Sequence, residues 1–381
     1  MSLPQSRVLI VDDSRVLCLS VEGLLGSEQD IVCRSVMKAK DSMEAAIAFG
    51  PTVILQDLIM PDVEDLEMIS LFKNDPRTCE IPLVMLSSND DPKVKSDSFA
   101  AGANDYIVKL PDRLELLARV RYHSKAYQAL LERNRAYEQI AADLKQAGDY
   151  VSGQLPDEIL KGNVQARYLF VPCAGVGGDF FSFFPIDKDH FGMYLLDVSG
   201  HGVGSCLLSV SVGDSLRRRI LPGADFHNPG QVLEVLSNIY PMDPKTGKYF
   251  TIWYGVFHRK SRELTYAGAG HPPALLMRAG AETMEELEST GPFIGIEGMP
   301  YENSKITLGT KDRIYLFSDG VYEIRDHETG RMWEFDRLKR ILAGGKTLEP
   351  KARLENLLQS ARQSQGSDVL EDDFAIVEFE F

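Results

Sequence analysis

No apolar run reaches the ~18 residues that a membrane-spanning helix requires, so no membrane span is expected. Cysteine is sparse: Cys18, Cys33, Cys79, Cys173 and Cys206 are scattered, odd in number and never at zinc-finger spacing. They read as reduced thiols, which points to the cytoplasm and away from a disulfide framework. Positive charge is also short, 41 Lys and Arg against 56 Asp and Glu, a net charge of −15. That argues against nucleic acid as a partner, because phosphate backbones attract Lys/Arg surfaces. No internal repeat is visible, and the opening run MSLPQSRVLIVDDS enters a strand-like segment directly, so no signal peptide is expected.

What the chain does have is length for two or three domains, with 44% apolar residues to fill their cores. It also has two sets of aspartates placed where strands run out. Residues 6–111 alternate short apolar runs with helical patterns: Val8–Val11, Val53–Leu55, Leu83–Leu86 and Tyr106–Val108 are β-branched-rich. Strands interleaved with helices imply crossover units and a parallel sheet. Residues 112–152 hold few Gly or Pro and read as one long helix. With Val120, Tyr127, Asn134, Ala141 and Gly148 at a, position d takes Leu116, His123, Leu130, Tyr137, Leu144 and Val151. A 4-3 spacing over about five heptads, with an Asn at a, suits a parallel dimer seam; a single amphipathic helix packed on a domain is the alternative. From about residue 160 onward the strand candidates are Ala166–Val171, Phe191–Val198, Thr251–Phe257, Leu264–Ala267, Arg313–Ser318 and Phe374–Phe381. Helical stretches are expected at 203–220, 229–240, 335–342 and 350–362, an α+β layered arrangement. The acidic stretch 279–289 reads as a solvated loop or short helix.

In the first half, Asp12-Asp13, Asp57, Ser87 and Lys109 end four strand candidates, and ligands bind at that edge of an open parallel sheet. A carboxylate nucleophile, acids for a hard Mg²⁺ ion, a hydroxyl and an ammonium together suit an aspartyl phosphate. The strings VLIVDDS, VILQDLIMPD, LVMLSS and DYIVKLP resemble the receiver domain of two-component response regulators. The resemblance implies a doubly wound, five-stranded parallel sheet over residues 1–122. It makes Asp57 the phosphoacceptor, with Asp12, Asp13 and Asp57 holding Mg²⁺ and Ser87, Tyr106 and Lys109 forming the switch. A sensor histidine kinase or phosphotransfer protein is then the expected partner. One departure is Leu110, which stands between the Lys and Pro111.

In the second half, carboxylates again sit at or near strand ends: Asp179 after Gly177-Gly178, Asp197, Asp319 before Gly320, and Asp372-Asp373 before the last strand. Four convergent carboxylates without a Cys/His set suit hard, oxygen-loving ions. The strings VGGDFFSF, YLLDVSGHGVGSC, YAGAGHPPALL, IYLFSDGVYE and EDDFAIVEF resemble PPM-type serine/threonine phosphatases, in particular their SpoIIE-like branch. The resemblance implies a PPM-type β-sandwich flanked by helices over residues 160–381, reached through a helical, coiled-coil linker at 113–152. It implies two Mn²⁺ or Mg²⁺ ions held by Asp179, Asp197, the Val198 carbonyl, Asp319 and Asp372, with Asp373 behind the ligands. His201 is a general acid, a supporting donor or a turn residue, and His271 a structural or supporting one. Ser182 replaces a common Asp, and Ala375 a common Thr. The expected activity is metal-dependent hydrolysis of phosphoserine or phosphothreonine on a protein, catalysed by Asp197 and His201 and controlled by phosphorylation of Asp57. By analogy with SpoIIE-like relatives the substrate is an anti-sigma-factor antagonist of the STAS type. The alternative is a catalytically silent adaptor that binds a sigma-factor-pathway partner under receiver control.

Overall fold

A computed structural model describes residues 5–63, 66–173, 175–242 and 244–381, so Met1–Pro4 of the leader reading lie outside the described residues. The chain forms two units, residues 1–140 and 141–381. In the first, strands β1 (Ser6–Val11), β2 (Ile31–Val36), β3 (Val53–Asp57), β4 (Leu83–Ser87) and β5 (Asp105–Val108) alternate with helices α1 (Arg15–Leu25), α2 (Ala39–Phe49), α3 (Glu67–Asn74) and α4 (Pro92–Ala100). The sheet is parallel throughout, in the order β2-β1-β3-β4-β5. Its central strands are apolar on both faces because helices cover both: Leu9, Val11 and Ile54 face one core, and Val8, Ile10 and Val53 the other. Helix starts follow local chemistry. Ser14 caps α1 by accepting the Leu17 N–H, and Asp91 caps α4 ahead of Pro92 at its first turn.

Helix α5 (Arg113–Ser152) runs unbroken for 40 residues. Its two ends are occupied within the chain, which corrects the reading of an unbroken five-heptad seam. Leu116 and Val120 are fully buried in a core of the first unit. His123, placed at a d position of the seam, instead sets Nε2 3.0 Å from Asp105 Oδ2, beside Arg119, whose Nη1 lies 2.7 Å from both Asp105 oxygens. At the other end Leu144 and Val151 join the core of the second unit. Gly148 packs so closely that a Cβ would fall 1.8 Å from the Gly175 carbonyl oxygen. Tyr137 and Ile140, between these ends, are exposed.

The second unit stacks two antiparallel sheets. One holds β7 (Phe180–Pro185), β8 (His190–Val198), β9 (Phe250–His258), β10 (Glu263–Ala269) and β13 (Ser304–Thr307), in the order β13-β10-β9-β8-β7. The other holds β6 (Gln165–Val171), β11 (Ala274–Met277), β12 (Met284–Leu287), β14 (Arg313–Phe317) and β15 (Phe374–Glu380), in the order β12-β11-β14-β15-β6. Alternate residues of each strand meet between the sheets: Phe181, Phe183, Met193, Leu195 and Trp253 from one, Leu276, Ile314, Leu316, Val377 and Phe379 from the other. The opposite faces are covered by helices. On the first sheet lie α6 (Val203–Arg217) and α7 (Pro229–Ile239); on the second, α8 (Phe335–Gly344) and α9 (Pro350–Gln365). The result is a helix–sheet–sheet–helix sandwich.

Strand β12 corrects the loop-or-helix reading of 279–289. Leu287 is buried opposite Ala274, while Glu285 and Glu286 point outward and pair with Arg278 and Lys339. An edge strand with one wet face can carry this much acid.

Candidate active site

In the first unit the strand order reverses between β1 and β3, which opens a crevice at the carboxyl ends of the strands. Asp12 and Asp13 follow β1, Asp57 ends β3, Ser87 ends β4 and Lys109 follows β5. Lys109 Nζ lies 2.7 Å from Asp57 Oδ2 and 3.0 Å from Asp12 Oδ2. Asp12 and Asp57 are buried; Asp13 is exposed. One carboxylate oxygen from each lies within 4.8 Å of the others. Burial raises the Asp57 pKa, and the Lys109 hydrogen bond works against that. Three acids facing one ammonium leave surplus negative charge among oxygen donors, which fits Mg²⁺. Ser87 is buried and accepts the Asn89 N–H. Tyr106 is also buried, its hydroxyl donating to the Asn89 carbonyl at 2.6 Å. Asn89 thus bonds to both Ser87 and Tyr106, a position no motif indicated. Leu110 takes φ of 61° and is exposed, so the extra residue before Pro111 is absorbed as a left-handed kink outside the crevice.

In the second unit Asp179 stands just before β7 and Asp197 near the end of β8, while Asp319 follows β14 and Asp372 precedes β15. Two strands from each sheet thus deliver carboxylates to one end of the sandwich. For Asp179, Asp197 and Asp319 burial is the first cause of a raised pKa, and the charges that then act on them are mostly other carboxylates. Asp197 is pushed to about 7 and Asp319 to about 6; Asp179 moves in the same direction. Asp179 Oδ2 is buried without a hydrogen-bond partner. A carboxylate set that is buried at Asp179, half-buried at Asp197 and Asp319, mutually repelling and left with an orphan oxygen suits bound cations, so these residues fit Mg²⁺ or Mn²⁺. Glycines hold the space open. A Cβ on Gly178 would lie 3.0 Å from the Val198 carbonyl oxygen, and one on Gly320 would strike the Asp373 carbonyl at 2.1 Å. Asp372 is exposed at the rim.

Asp373 faces a different way. Its Oδ1 accepts the Cys173 N–H at 2.9 Å and its Oδ2 the Gly178 N–H at 2.6 Å, so it pegs the loop that carries Asp179. The Cys173 thiol beside it is pushed up to about 12, chiefly by burial, and stays protonated. Asp197 lies directly opposite Thr251 in the β8–β9 ladder, and Thr251 Oγ1 is 2.9 Å from His271 Nδ1. Burial lowers the His271 pKa to about 3, so it is a neutral hydrogen-bonding support. Thr251 escaped the sequence reading because a Thr within a strand carries no signal until its cross-strand neighbour is known. His201 is exposed on the loop between β8 and α6. Ser182 is buried in β7 opposite Tyr194, within the sheet and not among the clustered acids. Lys248, not singled out from sequence, places Nζ 2.6 Å from Ser205 Oγ near the Asp197 loop.

Among the described residues, no helix is long and apolar enough to cross a membrane. The family model of Stage II sporulation protein E (SpoIIE) matches residues 187–381, and that of the response regulator receiver domain matches residues 8–121. Phosphoserine phosphatase RsbP of Bacillus subtilis (strain 168) is 28% identical over 202 residues, 52% of this chain and 48% of that protein. Phosphoserine phosphatase RsbU of the same organism is 28% identical over 208 residues, 54% of this chain and 60% of that protein. The chain thus spans about half the length of these curated relatives. The solved SiaA-PP2C domain of Pseudomonas aeruginosa superposes with a TM-score of 0.57 at 22% identity, covering 65% of this chain and 98% of that one, a likeness of fold. The chain belongs to the SpoIIE family and carries a response-regulator receiver domain ahead of its PP2C-like domain.

Proposed function

We propose that this protein is a cytoplasmic, metal-dependent protein serine/threonine phosphatase switched by phosphorylation of Asp57. The observation that carries the reading is the carboxylate set at one end of the sandwich: burial and neighbouring carboxylates raise the pKa values of Asp179, Asp197 and Asp319, with Asp372 at the rim, a strain that bound cations would relieve. An adaptor that bound no metal would carry that cost without benefit, so the silent-adaptor reading is the weaker one.

When bound, two Mg²⁺ or Mn²⁺ ions would activate water and neutralise phosphate charge. Asp197 would contact both from the end of β8, with the Val198 carbonyl, Asp179, Asp319 and Asp372 completing the set. Asp373 fixes the Asp179 loop through its two backbone N–H bonds, and Thr251 with His271 supports the strand opposite Asp197. His201, exposed on the loop that follows Asp197, would serve the leaving group as a general acid. Water attacks the phosphate directly, and no residue of this domain becomes phosphorylated.

In the receiver, Asp57 takes the phosphoryl group from a sensor histidine kinase or phosphotransfer protein, with Mg²⁺ at Asp12, Asp13 and Asp57. Tyr106 adjoins Asp105, the anchor of Arg119 and His123 on α5, so a change at Tyr106 lies one residue from the ion pairs that hold the linker helix. The stretch of α5 between Leu130 and Ala141, with Asn134 in it and Tyr137 and Ile140 exposed, is the segment we assign to pairing with a second copy. RsbP and RsbU are named phosphoserine phosphatases, and by analogy we assign an anti-sigma-factor antagonist of the STAS type as substrate. The test is hydrolysis of a generic phosphoester by the purified chain with Mn²⁺ or Mg²⁺, against EDTA and against Asp197→Ala. Metal-dependent turnover lost in the variant supports the reading; turnover kept in the variant removes Asp197 from the site.

A further inference from the structure

Three of the seven histidines of this chain gather at one edge of the PP2C-like domain, away from the carboxylate site. His190 opens β8 and lies directly opposite His258 on β9. His227 comes from the loop before α7 and stacks edge-to-face on His190, ring centroids 4.6 Å apart. Asp187, in the β7–β8 turn, places Oδ2 2.9 Å from both His190 Nδ1 and His227 Nε2. One ligand atom from each of Asp187, His190 and His227 lies within 4.8 Å of the others. We propose that Asp187, His190 and His227 form a second metal site, built for a borderline first-row dication such as Zn²⁺.

The geometry is close to what that ion needs. Tetrahedral ligands at about 2.0–2.1 Å from Zn²⁺ stand about 3.3 Å apart. The two 2.9 Å separations would therefore widen by only a few tenths of an ångström. The imidazole orientation is already set: His227 Nδ1 lies 3.0 Å from Asp225 Oδ1, the carboxylate–histidine arrangement that fixes a metal-binding tautomer. His258 is not a ligand here, because its Nδ1 accepts the Ser261 N–H; it walls the site. Side-chain exposures of 29% for His190, 42% for Asp187 and 43% for His227 leave the fourth position open to water or to a partner's ligand.

Two features separate this site from the carboxylate cage. The first is distance: His190 and Asp197 sit seven residues apart on one strand, about 23 Å at 3.3 Å per residue. The second is chemistry. Two imidazole nitrogens with one carboxylate select Zn²⁺ over Mg²⁺, whereas the four carboxylates select hard ions. An ion here would tie the β7–β8 turn to the segment leading into α7, and so stabilise the helical layer of that sheet.

The test uses the full chain stripped of metal, then held in excess Mg²⁺ to fill the carboxylate sites. Zn²⁺ is titrated by calorimetry and Co²⁺ by visible absorption. The expected result is one Zn²⁺ per chain and a Co²⁺ spectrum typical of nitrogen ligands. Binding is lost in His190→Ala and in His227→Ala, is retained in Asp197→Asn, and weakens about 10-fold in Asp225→Asn. Zn²⁺ should raise the melting midpoint of the wild type and leave that of His227→Gln unchanged. Absence of Zn²⁺ binding in excess Mg²⁺ overturns the proposal. So does binding that survives the double His variant or disappears in Asp197→Asn. The wild-type Co²⁺ spectrum in excess Mg²⁺ is read without any variant: a spectrum lacking the signature of nitrogen ligands overturns the proposal whatever the variants do.

Discussion

Replacing Asp197 by Asn should stabilise the metal-free protein while destroying its metal-dependent activity. In the folded chain the Asp197 pKa is raised from 3.8 to about 7 by burial and by Asp319, Asp372 and Asp373. A shift of three units at about 1.4 kcal/mol each sets a ceiling near ~4 kcal/mol on what ionised Asp197 costs the fold. Side-chain relaxation and water entry reduce this to about 1–3 kcal/mol, or roughly 3–10 °C in the melting midpoint of a domain this size. The sign in pH follows from the same shift. A carboxyl whose folded pKa is raised costs nothing below about pH 4, where it is protonated folded or unfolded, and its full cost appears above about pH 7. In EDTA, therefore, wild-type stability from this group falls as pH rises from about 4 to 7, and Asp197→Asn flattens that fall. Saturating Mn²⁺ should reverse the order, since only the wild type keeps the full ligand set and gains the linkage energy of binding. Thermal melts of both proteins at pH 5 and pH 8, with EDTA and with Mn²⁺, measure all of this. An Asn variant no more stable than wild type at pH 8 in EDTA would refute the claim that these carboxylates strain the metal-free fold.

Other consequences can be checked separately. Asp57→Asn should leave basal metal-dependent turnover in place but abolish any response to a small acyl-phosphate donor, read by phosphate release. Arg353 and Glu378 form a fully buried ion pair, so Arg353→Ala, which strands the Glu378 charge, should cost about 3–5 kcal/mol in denaturant melts. Replacing both partners with apolar residues should restore most of it. Gly148→Ala should loosen the end of α5 from the PP2C-like unit, because its Cβ has no room beside the Gly175 carbonyl; amide exchange in residues 144–152 should rise.

Much of this was legible in the sequence because chemistry and chain geometry coincide at strand ends. Asp12, Asp57, Ser87 and Lys109 sit at four parallel strand ends, and a parallel sheet brings such ends together with no further information. Asp179, Asp197, Asp319 and Asp372 come from two different sheets, so no strand pattern joins them; the sequence showed each at or near a strand end, and the resemblance supported grouping them. The helix α5 was plain from its lack of Gly and Pro, but which residues cover it was not. The periodicity that suggested a dimer seam is equally the periodicity of a helix whose ends pack into two cores, as Leu116 and Val151 do. Strands β2, β12 and β13 escaped notice because they are half-wet edge strands that carry charged residues, and β7 and β11 because buried apolar runs of four to six residues show no alternation that marks a strand. Thr251, Asn89 and Lys248 owe their places to cross-strand and loop neighbours, which no single-chain spacing reveals.

The most direct test of the central claim is phosphate release from a serine-phosphorylated STAS-type protein by the full chain with Mn²⁺, before and after loading Asp57 with an acyl-phosphate donor. The account predicts turnover that needs metal, is lost in Asp197→Ala, and changes on loading in the wild type but not in Asp57→Asn. Turnover that is absent under every condition, or identical in Asp197→Ala, would contradict it.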